Sequence, residues 1–310
     1  MTQLSLLNRY AERLGLRDSA PELCRRAKGT TTQLIDLLDE LLQAHTQAIC
    51  FENLEVIANL ARGELKAVSL DFESVADKLL DSKRGGYCHE HATLTRAVLT
   101  ELGISAHPIM ARVHLGEGRV APGALTHQAT IVRVDARSFL VDPGFGGGTP
   151  EVALELSTSA PARMTPRGEH RLVPAEVALD PDMQAEAEWA LQSRTSRDQE
   201  FRTVYAFADV PRPQADLELA NWFTSTKPGT PFTGPPVLAR SLPDGIKLTL
   251  DGRRLRRVSY SPDGDRTEHA IADAAEFAEV LTAEFGLGVD REFSDVAWNA
   301  AMSTTDDGLS

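Results

Sequence analysis

The sequence is poor in cysteine and in uninterrupted apolar stretches, and it lacks an excess of basic residues. Its 310 residues include three cysteines, Cys24, Cys50 and Cys88, too few for a disulfide framework and without the paired spacing of a structural zinc site. No run approaches the ~18 apolar residues of a membrane span, and Met1–Tyr10 has no basic stretch followed by an apolar one. The net charge of -13 argues against a nucleic-acid partner or an anionic membrane surface. We therefore expect a cytoplasmic protein in a reducing compartment, where a cysteine is available for chemistry.

Two kinds of apolar periodicity follow one another along the chain. Apolar residues three and four positions apart predict helices in the first hundred residues, one of them starting after Ser69 as its N-cap. Beyond this region apolar and polar residues alternate, which predicts antiparallel strands that form a sheet or barrel. The last third mixes both patterns, with a hairpin turn at Asp251-Gly252 and a helix capped by Asp273. The sequence therefore predicts an α+β fold in three parts, at residues 1–103, 104–212 and 213–310.

The strongest chemical signal is the segment Arg84–Ala92. Cys88 follows two glycines, and apolar residues recur every four positions after it, at Leu94, Val98 and Leu102. This spacing predicts that Cys88 lies in the first turn of an amphipathic helix. A helix N-terminus offers unpaired N–H groups and a positive dipole end, which favour the thiolate form of a cysteine. We therefore interpret Cys88 as a nucleophile.

A base and a carboxylate follow in the predicted strand region. His127 precedes the strand that starts at Ala129, and Asp142 ends the next strand. Neighbouring antiparallel strands can bring the two side chains together, with the imidazole between carboxylate and thiol. Each residue also has a plainer interpretation: Cys88 as a buried small side chain, His127 as a structural histidine and Asp142 as the cap of a turn.

Four consecutive potential ligands, Cys88-His89-Glu90-His91, raise the alternative of a metal site. Adjacent positions on a helix point in different directions, so a shared metal ion is disfavoured. We predict no metal site, and we interpret His89 as a wall residue of the pocket and His91 as a helix-packing residue.

Six segments, in chain order, resemble motifs of the arylamine N-acetyltransferase family. In that family a Cys-His-Asp triad takes an acetyl group from acetyl-CoA and passes it to an arylamine, arylhydrazine or arylhydroxylamine. The resemblance implies that Cys88, His127 and Asp142 form this triad. The segments are Tyr10 with Arg13 and Gly15, Phe51-Glu52-Asn53-Leu54, Arg84-Gly85-Gly86-Tyr87-Cys88 with Glu90, Thr126-His127, Val141-Asp142 with Gly144-Phe145-Gly146, and residues 219–232.

The resemblance also implies a fold and two binding regions. The implied fold is a helical bundle bearing Cys88, an antiparallel β-barrel bearing His127 and Asp142, and an α/β lid, so that the triad resembles that of a cysteine protease. The residues implied to contact CoA are Gly144, Gly146, Gly147, Ser225 and Thr226. The residues implied to line the acceptor pocket are Phe51, Tyr87, Phe145 and Phe223.

Four positions depart from the family's pattern. Cys50 stands where proline is usual and His89 where the residue is often aromatic, while Ala92 and Pro143 replace the usual asparagine and valine. None of these changes removes a triad residue. Because His89 and Ala92 flank Cys88, the choice of substrate stays open.

The sequence as a whole predicts an acyltransferase. By the resemblance it moves an acetyl group from acetyl-CoA through an acyl-cysteine to the nitrogen of an arylamine or arylhydrazine, in ping-pong order. The expected partners are acyl-CoA and the small aromatic amine or hydrazine, with no tightly bound cofactor, nucleic acid or membrane. One alternative is an amide synthase that takes a polyketide chain from an acyl carrier protein and closes it as a macrolactam. A thiol hydrolase is a weaker alternative, and a scaffold protein is disfavoured because all three triad residues are present.

Overall fold

Helices that pack on one another make up most of the N-terminal third. The structure, a computed structural model, describes residues 5–115, 121–261 and 264–303. The third helix starts with a capping box between Thr30 and Gln33, and its leucines join Leu94 and Val98 in one buried core. The elements are α1 Leu6–Leu14, α2 Ala20–Ala27, α3 Thr31–Ala48, the short strand β1 Phe51–Glu52, α4 Leu54–Ala61, α5 Phe72–Ala76 with a π-helical continuation Asp77–Asp81, and α6 Cys88–Glu101.

The start of α5 differs from the sequence prediction. Its N-cap is Asp71, whose carboxylate accepts a hydrogen bond from the Ser74 N–H at 3.0 Å. The Ser69 hydroxyl accepts from the Asp71 N–H at 3.2 Å. The prediction of Ser69 as the N-cap was therefore wrong, because that hydroxyl closes the turn before the helix while the carboxylate caps it.

Eight antiparallel strands form a nearly closed barrel, in the spatial order β5-β4-β3-β2-β9-β8-β7-β6. The central strand β3 is buried on both faces: Ile131 points into the barrel core, whereas Val132 joins the helical core that includes Leu94 of α6. The helix α6 covers the outer face of this strand. The strands are β2 Ser105–Val113, β3 Leu125–Val134, β4 Arg137–Val141, β5 Leu154–Glu155, β6 Arg163–Thr165, β7 Gly168–Pro174, β8 Trp189–Arg194 and β9 Arg202–Phe207, and the short helices α7 Ala175–Ala178 and α8 Pro181–Gln184 lie between β7 and β8.

A second antiparallel sheet has the order β1-β10-β11-β12-β13. Its predicted hairpin is present: Asp251 pairs with Arg254, so Gly252, with a φ of 58°, is the first turn residue. The predicted cap is present too, since the Asp273 carboxylate accepts from the N–H groups of the first turn of α10. The elements are α9 Gln214–Thr226, β10 Val237–Ser241, β11 Ile246–Asp251, β12 Arg254–Ser259, β13 Arg266–Ala270, α10 Ala274–Glu279 with a π-helical continuation Val280–Glu284, and α11 Arg291–Ser303.

The strand β1 ties this second sheet to the helical part. Phe51 pairs with Ala239 and Glu52 with Leu238, so two residues just after α3 form the edge of a sheet built otherwise from the last third of the chain. The predicted α+β fold with helical bundle, barrel and α/β lid is confirmed, while the boundaries at 103 and 212 remain our proposal. Across the described residues, no helix is both long and apolar enough to span a bilayer.

Candidate active site

Cys88 is the first residue of α6, as the sequence predicts. Its side chain is almost fully buried, and its Sγ lies 3.8 Å from the carbonyl oxygen of Thr126, next to His127 on β3. The Tyr87 N–H donates to the Glu90 carboxylate at 3.2 Å, which fixes the turn that precedes the helix. The thiol is thus held where the first N–H groups of a helix have no intrahelical partner.

The loop before Cys88 is held by a close backbone approach and two ion pairs. A side chain at Gly85 would collide with the carbonyl of Cys50, so only glycine fits there. Arg84 pairs with Glu52 at 2.9 Å, and Lys78 pairs with Glu90 at 2.7 Å. The charged groups are largely buried in opposite-sign pairs, so each offsets the desolvation of its partner.

His127 and Asp142 are in direct contact. The His127 Nε2 lies 2.8 Å from an oxygen of Asp142, and both side chains are buried. The same carboxylate accepts from the Tyr205 hydroxyl at 2.8 Å and from the Gly144 N–H at 3.0 Å. Because Nε2 is engaged by Asp142, the Nδ1 of His127 is the nitrogen left to exchange a proton with Cys88.

The carboxylate determines the charge state of His127. Burial alone would lower the pKa of this imidazole, but the charge and hydrogen bond of Asp142, together with the Cys88 side chain, raise it to about 10. The protonated ring is therefore the favoured form near neutral pH. An imidazolium beside a cysteine is the arrangement that a thiolate nucleophile requires.

The side chains that follow Cys88 go to separate partners. His89 Nδ1 contacts the Gln128 amide oxygen at 2.8 Å, Glu90 pairs with Lys78, and His91 Nε2 contacts the Gly86 carbonyl at 3.0 Å. Across the described residues, no group of three or more His, Cys, Asp or Glu side chains could hold a metal ion.

The four residues implied for the acceptor pocket differ in exposure. Phe145 packs edge-on against His127, with ring centroids 4.9 Å apart, and Phe51 stacks on His91 at 6.4 Å. Tyr87 is fully buried and its hydroxyl donates to Asn221 of α9. Phe223 lies half-buried two residues further along α9, where Lys227 approaches its ring. Phe145 is thus the member in direct contact with the His127 ring.

The glycine turn after Asp142 serves more than one purpose. A Cβ at Gly144 would lie 2.8 Å from the His91 Cβ and 3.2 Å from the Cys88 Cα, so this glycine lets the turn pack against α6. Gly146 has a φ of 76°, which favours glycine, and its neighbour Gly147 is exposed. Lys247 of β11 donates to the Gly147 carbonyl at 2.5 Å. Gly147 is therefore the exposed part of the turn, while Gly146 is half-buried and Gly144 is buried.

The hydroxyls of Ser225 and Thr226 are engaged within α9. Ser225 donates to the Asn221 carbonyl at 2.7 Å and Thr226 to the Trp222 carbonyl at 2.6 Å, and both side chains are buried. This is the i to i−4 bonding typical of serine and threonine inside a helix. In this conformation neither hydroxyl is free to donate to CoA, so the contact implied by the resemblance has no donor here.

Two residues at the site were missed by sequence reasoning. Tyr205, which donates to Asp142, lies in a stretch that was interpreted only as a strand. The alternation of that strand was the feature that could have identified Tyr205, because it places this side chain inside the barrel, next to the His127 ring. Lys247, beneath the glycine turn, stands at a polar position between the apolar Ile246 and Leu248, so the alternation of this strand gave no signal that the side chain is buried.

Comparisons with known proteins agree with this geometry. A sequence model of the N-acetyltransferase family matches residues 34–294. The chain is 33% identical to an arylamine N-acetyltransferase of Mycobacterium tuberculosis, over 91% of this chain and 92% of that protein. It is 31% identical to one of Escherichia coli, over 84% and 85%.

Solved structures give the same result. The arylamine N-acetyltransferase from Salmonella typhimurium superposes with a TM-score of 0.79 at 28% identity, covering 96% of this chain and 99% of that one. The enzyme of Mycobacterium marinum, solved in complex with CoA, superposes with a TM-score of 0.77 at 30% identity, covering 95% and 99%. With a family match over most of its length and the barrel, lid and buried cysteine described above, the chain belongs to the arylamine N-acetyltransferase family.

Proposed function

We propose that the chain transfers an acetyl group from acetyl-CoA to the nitrogen of an arylamine or arylhydrazine, with Cys88, His127 and Asp142 as the catalytic residues. The observation that carries the proposal is the 2.8 Å contact between His127 and Asp142 beside a cysteine at a helix N-terminus. Family membership supports the choice of reaction. The free cysteines and the acidic composition support a cytoplasmic setting as part of the same proposal.

The first half-reaction acylates Cys88. The thiolate attacks the carbonyl carbon of the thioester, a C–S bond forms to Cys88, and the bond to the CoA sulfur breaks. Protonated His127 gives its proton to the departing CoA thiolate. The N–H groups of the first two residues of α6, which precede the first hydrogen bonds of the helix, stabilise the negative oxygen of the intermediate.

The second half-reaction returns the enzyme to its starting state. The amine nitrogen attacks the acyl carbon, His127 takes the proton from that nitrogen, and Cys88 leaves as a thiolate paired with the imidazolium. Asp142 holds the ring and stabilises its charge, and Tyr205 holds Asp142. One pocket serves both steps, so we expect ping-pong kinetics.

The half-buried Gly146 and the exposed Gly147 support a place for CoA next to the triad. Phe145 has α-helical backbone angles and Gly146 is left-handed, a combination that turns successive N–H groups toward one side and suits a phosphate. Lys247 brings a positive charge beneath this turn. The positions of Gly144, Ser225 and Thr226 favour a role in holding the surrounding structure over direct contact with CoA.

Phe145, Phe51, Tyr87 and Phe223 remain the proposed wall of the acceptor pocket. An aromatic amine can pack against such rings in offset or edge-on geometry. The alternatives of macrolactam closure with an acyl carrier protein and of thiol hydrolysis gain no support from the relatives described above.

Intact-mass measurement after mixing with acetyl-CoA, without an amine, tests the function. We expect one acetyl increment on the wild type, none on Cys88→Ala, and discharge of the increment when an arylamine or arylhydrazine is added. The variant should keep its fold because cysteine to alanine removes one atom at a buried helix start. Unchanged acetylation in Cys88→Ala would exclude this nucleophile, and absence of an increment despite rapid alkylation of Cys88 would exclude acetyl-CoA as the donor.

A further inference from the structure

A chain of buried hydrogen bonds leads from α1 to the loop before the nucleophile. The Tyr10 hydroxyl lies 2.9 Å from His45 Nδ1, His45 Nε2 lies 2.7 Å from His91 Nδ1, and His91 Nε2 lies 3.0 Å from the Gly86 carbonyl oxygen. All three side chains are at most 3% exposed. The chain therefore links three helices to one backbone carbonyl without contact with bulk solvent.

Only one arrangement of protons satisfies every bond in this chain when both rings are neutral. A carbonyl can only accept, so His91 Nε2 carries the hydrogen and His91 Nδ1 accepts. His45 Nε2 must then donate to His91, which leaves His45 Nδ1 to accept from the Tyr10 hydroxyl. The Gly86 carbonyl thus sets the tautomer of His91, and the Tyr10 hydroxyl completes the order by donating to the His45 tautomer that donates to His91.

Burial keeps both rings neutral. It lowers the pKa of His91 to about 4, although the carbonyls of Cys50 and Gly86 favour the protonated form. It lowers the pKa of His45 well below the ordinary value, and the nearby His91 and Arg13 act in the same direction. The proton order is therefore constant over the pH range near neutrality.

The carbonyl at the end of the chain belongs to the peptide unit that enters the nucleophile helix. The Gly86 oxygen also accepts from the Glu52 N–H at 2.8 Å, and the N–H of the same Gly86–Tyr87 peptide donates to Glu90 at 3.2 Å. The plane of this peptide is held from both sides, one residue before Cys88. A rotation of this plane would move the first turn of α6 and the thiol with it.

His91 also supports the turn that carries the triad carboxylate. A Cβ on Gly144 would lie 2.8 Å from the His91 Cβ, so the glycine rests directly on the histidine. The Gly144 N–H in turn donates to Asp142 at 3.0 Å. One imidazole is thus in contact with the loop that positions Cys88 and with the turn that positions Asp142.

We propose that Tyr10 and His45 are positioning residues for acyl transfer, because their hydrogen bonds hold the His91 ring, in the tautomer set by the Gly86 carbonyl, where it fixes the Gly86–Tyr87 peptide and the Asp142 turn against each other. His91 is then more than a helix-packing residue. This inference rests on Cys88 being the nucleophile of the proposed function. None of the three residues of the chain takes part in the chemical steps.

The mildest test removes only the Tyr10 hydroxyl. In Tyr10→Phe we expect the single-turnover rate of Cys88 acetylation at saturating acetyl-CoA to fall about two- to tenfold, the loss expected for one net hydrogen bond. The half-saturating concentration of acetyl-CoA should not change, since Tyr10, His45 and His91 are all buried away from the surface that the donor can reach. The matched control is Thr46→Val, which removes a buried hydroxyl next to His45 that donates to the Gln43 carbonyl. This control variant should lower thermal stability to a similar degree and keep the wild-type rate. An equal loss of rate in both variants would show that the hydrogen bonds from Tyr10 to His91 have only a structural role.

A second pair of variants tests the end of the chain. His91→Leu removes the bond to Gly86 and should slow acetylation about 10- to 100-fold, because an error of ~1 Å in the reacting groups costs about that much. His91→Gln carries an N–H donor at the same distance from Cβ and should recover most of the rate. Failure of glutamine to perform better than leucine, with both variants folded, would contradict the proposal.

The wild type offers a test that needs no variant. Long-range ¹H–¹⁵N spectra of protein with ¹⁵N-labelled histidine should show His45 and His91 neutral with the proton on Nε2, and Tyr10→Phe should disturb this pattern. A proton on Nδ1 of either ring would refute the inference. If acetyl-CoA does not react, the rate of Cys88 alkylation by iodoacetamide replaces acetylation as the readout, which separates failure of the inference from failure of the proposed donor.

Discussion

The charge on His127 is produced by partners distant in sequence, and it has a consequence for stability. In the folded protein the pKa of His127 is raised to about 10, whereas the ordinary value is 6.5. A histidine whose pKa is raised by folding contributes stability that is fully present below pH 6.5. This contribution is lost as the pH rises toward 10.

We therefore expect the wild type to lose stability relative to His127→Gln between pH 6.5 and 10, by at most about 1.4 kcal/mol per pH unit. Glutamine cannot take up a proton, so the difference between the two isolates this residue. Urea unfolding of both proteins at pH 6, 8 and 10 measures it. Parallel pH profiles would show that Asp142 does not hold a proton on the imidazole.

Lys247 is a second residue whose charge depends on its surroundings. Burial lowers its pKa to about 8, although Glu151 favours the charged form. We expect the KM for acetyl-CoA to rise between pH 7 and 9 as this ammonium loses its proton beneath the glycine turn. Lys247→Met should raise KM about tenfold at pH 7, as for loss of a charged hydrogen bond, and should abolish that rise.

Two comparisons make the Lys247 experiment specific. Acetyl-pantetheine lacks the nucleotide phosphates, so its KM should be the same in wild type and Lys247→Met. Lys66→Met removes an exposed ammonium that pairs with Glu64 and should leave both donors unaffected. A rise in KM for acetyl-pantetheine as large as that for acetyl-CoA would show that Lys247 supports the fold of the turn and not the phosphate.

At the level of elements, the turn after β4 and the first turn of α6 form the site by direct packing. Gly144 has no room for a side chain, because a Cβ would meet the backbone of Cys88 and the Cβ of His91. At Gly147 a Cβ would meet nothing within 4 Å, and its backbone φ is not positive. Substitution by alanine should therefore be harmful at Gly144 and tolerated at Gly147.

We expect Gly144→Ala to destabilise the protein by about 1–3 kcal/mol, the usual result of overpacking, and to slow acetylation of Cys88. Gly147→Ala should keep the wild-type stability and acetylate at nearly the wild-type rate at saturating acetyl-CoA. Thermal unfolding and single-turnover acetylation measure both. Equal behaviour of the two variants would mean that the turn does not rest on α6.

At the scale of the whole molecule, Asn53 connects the segment that precedes α4 to the α/β lid. Its amide donates to the carbonyls of Phe232 and Pro235, each at 3.0 Å, and its oxygen accepts from the Val237 N–H at 2.8 Å. These bonds hold β1 at the edge of the second sheet, where Phe51 pairs with Ala239. Asn53 is buried, so no water replaces the lost partners when it is removed.

Asn53→Ala should lower the free energy of unfolding by about 2–4 kcal/mol, because three buried backbone groups lose a partner. Hydrogen exchange at Val237 should become faster than in the wild type. Asn59→Ala is the control: Asn59 is equally buried, but its side-chain oxygen has no partner, so its removal should cost less. A similar loss at both positions would show that burial, not the link to the lid, explains the effect of Asn53.

The sequence by itself determined the local features of this protein. The glycine pair and the apolar spacing after Cys88 placed the thiol at a helix start, the alternating residues marked strands, and Asp273 and Gly252 marked a cap and a turn. Each depends on interactions within a few residues, which periodicity and turn chemistry record. The motifs, in their order along the sequence, were also sufficient to indicate the family.

Only the tertiary structure decided which distant groups meet. Tyr205 is 63 positions from Asp142, His45 is 46 positions from His91, and Asn53 is 184 positions from Val237. Such pairs depend on how the barrel closes and which strands are neighbours, and a one-residue change of register would separate them. A sequence shows the residue types that can bond but not the path of the chain between them, which is why the surroundings of the triad had to be read from the fold.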